Sequence, residues 1–341
     1  MEVNNKYTIN KKFISITNKK FITIGFSFIV LAVLLVLLST IGSVDLSFSE
    51  IISALVNDDN KVVSTIVYKM RLPRNVLASL VGANLAVAGI LLQSVMKNSL
   101  ADPGITGVST GASVAAIIIL LTLPKYTSLL PIAAFIGGAI ACILVFVMAY
   151  KNGIQPGRIV LAGVAVNTIL GGIISFLSTM YSDRIQSAML WLNGSLATKT
   201  WADVEMLFLY SIVSLILSLC LIRSANVLQL GDDAAINLGL NVNLTRLMIC
   251  AVAVFLAAIS TSVVGIISFV GLIVPHIARM IMGSDHKYTI PFSMVLGSIV
   301  LLVADTLGRT IGGAVEIPVG VIMSIVGGPF FLYLLRKKGD Y

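Results

Sequence analysis

The sequence predicts an all-α, polytopic membrane protein. Of its 341 residues, 57% are hydrophobic and only 11% are charged, and apolar runs recur from one end to the other. A soluble domain carries roughly 25% charged residues, and about 20 apolar residues in a helix cross the hydrocarbon core. The short alternating strands of a transmembrane barrel are absent.

In chain order, the runs predict ten spans, near 21–41, 74–95, 107–123, 131–150, 159–180, 203–222, 245–263, 265–282, 290–308 and 314–335. The first follows a Lys-rich tail, 1–20, and shows no small-residue cleavage site, so it reads as a retained span. The stretch 42–70, with Asp45, Glu50, Asp58 and Asp59, forms the one sizeable loop before the second span. The seventh and eighth spans are separated only by a short break at Ser260–Gly265. A transmembrane domain over 21–335 and a short tail at 336–341 complete the organisation. Cys142, Cys220 and Cys250 lie inside apolar runs and read as packing residues, with no disulfide or zinc framework.

Lys and Arg fix the orientation. With the N-terminus inside, fifteen fall on the inner face and eight on the outer, which favours both termini in the cytoplasm. The net charge of +8 is therefore topological, with no call for nucleic acid. The same orientation puts Arg71, Arg74 and Arg309 on the outer face, against the bias.

Several chemistries are excluded. The chain has no G-x-x-x-x-G-K-[ST] phosphate loop, no H-E-x-x-H and no G-x-S-x-G elbow. Its two histidines, His276 and His286, make no metal site, and no cofactor is expected. Ion-coupled carriers need carboxylates at the membrane midplane. Here Asp and Glu lie in loops or at helix ends, with Asp305 the deepest. The energy for any passage must come from elsewhere.

Small residues at Gly107 and Gly111, Gly308 and Gly312, and Gly320, Ser324 and Gly328 suit close helix packing. On the fifth span Asn167, Gly171 and Ser175 share one face at i, i+4, i+8, either as the lining of a wet pathway or as interhelical glue. Asn84 and Gln93 on the second span read as packing glue. Between spans six and seven, Gly231-Asp232-Asp233 and Gly239 bracket a short surface helix at about 231–239. Its acids suit the N-terminus and its glycine the C-terminus. Ala235 and Leu238 offer it an apolar face, for the membrane interface or for a cytosolic partner.

Together these motifs resemble the FecCD-type permeases of bacterial ABC importers for iron–siderophore complexes, haem and cobalamin. RLPR with GANLAVAG, Gln93, Asn98–Pro103, GVSTGAS at 107–113 and LAGVAVN at 161–167 follow in family order. LGDDAAINLG at 230–239, FVGLIVPHIARMIMGSDH at 269–286, Ala304-Asp305 with Arg309, and EIPVGV at 316–321 continue it. The resemblance implies a permease in the bacterial cell membrane, paired with a second permease, identical or related. Two cytoplasmic ATPases and an external substrate-binding protein complete the assembly. It further implies that Arg71, Arg74 and Arg309 dock the binding protein, and that Gly231, Asp232, Asp233, Ala235, Leu238 and Gly239 couple to the ATPase. Asn98 and Leu100, with Pro156 and Gly157, would form the cytoplasmic gate. The family's Asn-Pro-Leu-Ala reads Asn98-Ser99-Leu100-Ala101 here, which implies a more mobile turn. Gln155-Pro156-Gly157 likewise stands where hydroxyl residues occur in the family. The implied function is passage of a ferric siderophore. Haem, cobalamin and, in a different class, an ion-coupled carrier are the alternatives.

Overall fold

The computed structural model describes residues 2–42, 47, 61–151, 153–312 and 315–338. Asp45, Glu50, Asp58 and Asp59 of the predicted loop lie outside them.

Among the described residues, ten apolar helices correspond one to one with the predicted spans. Seven are long enough to cross a membrane and three are shorter. The first, α1, runs from Glu2 to Leu37, so the basic tail belongs to the same helix. The second, α2, covers Lys61–Met96 and includes a π-helical stretch at Thr65–Arg71. Then come α3 (Val108–Thr122), α4 (Leu130–Ala149) and α5 (Pro156–Met180). A short helix α6, Ile185–Leu192, precedes α7, Trp201–Cys220. Two more short helices, α8 (Ile222–Gln229) and α9 (Asp232–Asn237), lead into α10, Val242–Val264. The chain ends with α11 (Val270–Met282), α12 (His286–Ile311) and α13 (Val319–Lys338).

Helix α2 is the axis of the bundle. From Val81 to Met96 every residue is buried, and α7, α10, α11 and α12 all pack against it. Two glycines allow this. A Cβ on Gly82 would collide with the Gly297 carbonyl of α12, and one on Gly89 with the Gly271 carbonyl of α11. Such backbone-to-backbone approach is how helices gain van der Waals contact in lipid, where no hydrophobic drive exists between them. Buried Asn84 adds polar glue, donating to Ser211 Oγ at 2.7 Å and Ser260 Oγ at 3.1 Å.

The eighth span departs from expectation. Helix α10 continues through Ser260 to Val264, and the break lies at Gly265–Phe269. Helix α11 therefore has only 13 residues, about 20 Å at 1.5 Å per residue, and starts inside the protein. Non-helical backbone at that depth is tolerated where protein covers it. Here Ser195 N–H donates to the Val264 carbonyl at 2.8 Å, and Gly320 N–H to that of Gly194 at 3.2 Å. Gly308 and Gly111 are packing sites as predicted, whereas Gly328 faces open space.

Replacing Gly89 by Val should force α2 and α11 apart. We expect a loss of about 1–3 kcal/mol, the usual size of an overpacking penalty, seen as a lower thermal midpoint in detergent. Gly25→Val, where no atom lies within 4 Å, serves as the control. A Gly89→Val midpoint equal to the control's would refute the close crossing.

Candidate functional site

Charged side chains gather at the two ends of α2. At the predicted outer end, α1 stops at Leu37, and the turn Leu38–Thr40 that follows presents its own carbonyls. Arg71 Nη1 donates to the Ser39 carbonyl at 2.7 Å and the Thr40 carbonyl at 3.0 Å. Arg309 Nη2 reaches the Leu38 carbonyl, Asn75 Oδ1 and Thr306 Oγ1, each at 3.0 Å. Both side chains are buried, 6% and 7% exposed. Cations at a helix C-terminus also meet the negative end of its dipole. Arg74 forms a fork on Asp305, at 2.8 and 3.0 Å, and bonds Glu316 at 2.8 Å. Asp305 is buried and Glu316 is exposed. Each of the three arginines implied to dock a binding protein is also engaged by its own chain. Of this set, only Glu316 offers an open charged side chain.

The predicted cytoplasmic end carries the second junction. Asp232 does not cap its helix, as the acid pattern suggested. Its Oδ1 accepts from Lys97 Nζ and from Arg246 Nη2, both at 2.7 Å, and its Oδ2 accepts from Arg246 Nη2 at 3.0 Å. The Lys97 hydrogen bond holds the Asp232 carboxyl below the usual carboxylate range; desolvation opposes it, and the Arg246 charge adds to it. Stability from this pairing is present above the unfolded carboxylate pKa and is lost as pH falls through the lower folded value. The junction therefore persists through neutral and mildly acid pH. Arg246 Nη1 also donates to the Ile154 carbonyl at 2.9 Å, and Asn243 Oδ1 accepts from Ile154 N–H at 3.2 Å. Sequence reasoning missed Lys97 and Arg246. The available signal was an arginine inside an apolar run, costly in a membrane unless it has a purpose.

The apolar face of α9 also differs from expectation. Ala235 is fully buried, while Leu230, Ile236 and Leu238 are exposed at 66%, 59% and 64%. Six helical residues make under two turns, so a small shift in phase exchanges the inner and outer faces. Gly231 and Gly239 bound the segment with φ of +109° and +79°, conformations natural to glycine.

The remaining predicted residues are spread over the same end and one flank. Asn98 Oδ1 accepts from Leu100 N–H at 2.9 Å and its carbonyl accepts from Ala101 N–H at 3.1 Å, so an Asx-type turn closes where proline stands in the pattern. Pro156 and Gly157 open α5, and nothing approaches Gly157 within 4 Å. Asn167 is interhelical glue: it accepts from Thr110 Oγ1 at 2.7 Å and donates to the Gly104 carbonyl at 3.0 Å. That contact holds the turn Pro103–Thr106, which Asp102 caps, against the middle of α5. Gly171 has open space around it and Ser175 is exposed. Gln93 ties α2 to the Ala101 and Gly271 carbonyls and accepts from Arg279. Cys142 and Cys250 are buried, and Cys220 is exposed.

A bundle packed around one buried helix, with a break at Gly265–Phe269 and charged junctions at both ends, is the architecture of a multi-pass membrane protein. The chain belongs to the FecCD transport family, whose model matches residues 29–337. It is 38% identical over 313 residues to the Fe(3+)-citrate import system permease protein YfmE of Bacillus subtilis, covering 90% of this chain and 94% of that one. It is 43% identical over 275 residues to the cobalamin import system permease protein BtuC of Halobacterium salinarum, covering 80% and 74%. A metal-chelate type ABC transporter solved in an inward-facing conformation superimposes with a TM-score of 0.83 at 27% identity, over 92% of this chain and 99% of that one. The fold is that of a type II ABC importer permease.

Removing Arg74 leaves the Asp305 carboxylate buried without its fork. Arg74→Ala should cost about 3–5 kcal/mol, read as a fall in thermal midpoint, and Arg74→Leu with Asp305→Leu should recover most of it. An Arg74→Ala protein as stable as wild type would show that the pair does not hold this end together.

Proposed function

We propose that this chain is the permease subunit of an ATP-driven importer that passes a ferric siderophore, or a similar iron chelate, inward from an external binding protein. The observation that carries the substrate reading is the likeness to an Fe(3+)-citrate permease over 94% of that protein's length. The cobalamin relative is the more identical of the two, over a smaller share of its chain, and makes cobalamin the second reading.

The assembly would comprise this chain and a second permease, two cytoplasmic ATPases and the binding protein, in a bacterial cell membrane with both termini inside. ATP hydrolysis would belong to the ATPases. The segment 231–239 would dock one of them through Ile236 and Leu238, with Leu230 just before it; their exposure beside the charged junction supports the reading. At the outer end Arg74 and Glu316 would meet the binding protein, with Arg71 and Arg309 setting their frame. The uncovered surface of α5, on which only Ile159 and Gly163 are buried, supports Gly171 and Ser175 as pathway lining against the second permease. Asn98, Leu100, Pro156 and Gly157 would close the path below.

The test is reconstitution of the permease with its ATPase and binding protein in liposomes. ATP should drive accumulation of labelled ferric citrate or a ferric hydroxamate, and Leu238→Asp should abolish it by releasing the ATPase. Accumulation of cobalamin but no iron chelate would transfer the assignment to the second reading. Uptake without ATP, driven by an ion gradient, would overturn the class.

A further inference from the structure

We propose that Asp232 is a positioning residue that makes the coupling segment and both cytoplasmic loops move as one body. The inference rests on the reading of 231–239 as the ATPase-docking segment and names what carries the docked motion onward.

One carboxylate reaches both loops. Through Lys97 it holds the residue that caps α2 and leads directly into the Asn98–Ala101 turn. Lys97 sits at φ +49°, a left-handed conformation uncommon outside glycine, so the contact also fixes where α2 ends and the turn begins. Through Arg246 it holds the other loop, because the same guanidinium that takes Asp232 at 2.7 Å donates to the Ile154 carbonyl at 2.9 Å. Asn243 closes that link from the opposite side at Ile154 N–H. Ile154 stands two residues before Pro156, where α5 begins.

The coupling segment has little else to hold it. It hangs between Gly231 and Gly239, both with positive φ and with no atom near enough to restrain a side chain there. Ala235, fully buried, supplies a pivot. Asp232 supplies the charge that keeps that pivot in register with the loops. The need is mutual: Arg246 is only 5% exposed, and its one ion-pair partner among the described residues is Asp232. Losing that partner leaves a buried cation with a carbonyl alone. An arginine fork suits the task, because its planar donors fix direction as well as distance.

Hydrogen exchange on the purified permease, with no ATPase present, tests the junction directly. In Asp232→Asn the amides of 97–101 and 153–157 should exchange faster together, by about tenfold or more, while those of α2 between Val81 and Gln93 keep their rates. Asp232→Glu should return both loops close to wild type. Unchanged exchange in either loop would overturn the inference. ATPase co-purification separates this from the docking reading. Loss of the ATPase in Asp232→Asn with both loops unaltered would mean that the carboxylate contacts the ATPase itself, which also overturns the inference. Retention of the ATPase in Leu238→Asp would instead remove the docking reading and leave the junction standing on its exchange rates.

Discussion

The close crossing of α2 with its neighbours, backbone against backbone at Gly82–Gly297 and Gly89–Gly271, is the constraint on which the other features depend. It makes α2 a fixed bar through the middle of the bundle. Each end of the bar then has to meet water, and each end carries charge. At one end are Arg71, Arg74 and Arg309, each with its own partners; at the other is Lys97 with Asp232 and Arg246. In hydrocarbon every unpaired backbone group costs several kcal/mol, so places where helices stop are where polar side chains collect.

That accounting explains why arginines appear against the usual charge bias. Two of the three fix the turn that follows α1, supplying donors to the carbonyls of Leu38, Ser39 and Thr40. The third neutralises a buried aspartate and lends its remaining donor to an exposed glutamate. The charge at this end is therefore built into the frame before any partner arrives. On the proposed reading, a binding protein docking there would meet a set surface with the Arg74–Glu316 pair at its edge. Preorganisation of this kind lowers the ordering cost of association.

Much of the architecture was legible in the sequence because hydrophobic length and glycine placement are local properties. All ten apolar segments, the glycine-bounded segment at 231–239 and the glue at Asn84 could be read that way. What escaped depends on residues far apart in the chain. Lys97 and Asp232 are 135 positions apart, and Arg309 and Asn75 are 234 apart, so no window of sequence pairs them. The short helices α6 and α8 escaped because they are too brief to show as spans, although Ile222, Ala225 and Leu228 recur at helical spacing. Ala235 and Leu238 lie one turn apart, yet one is buried and the other exposed. On so short a helix the neighbouring elements decide which face turns inward.

The account makes the cytoplasmic end a single moving part, with α9, the turn after α2 and the loop before α5 carried by one carboxylate. The most direct test is a tether in place of the ion pair. In a protein lacking Cys142, Cys220 and Cys250, cysteines at Lys97 and Asp232 would be joined by a short bifunctional thiol reagent in the reconstituted transporter. Before joining, the double variant should couple ATP hydrolysis to transport poorly; after joining, transport should recover in part, because the Arg246 link to the loop before α5 stays broken. If the tether instead arrests a transporter that ran well without it, the coupling segment and the loop must separate during the cycle, and they cannot be one body.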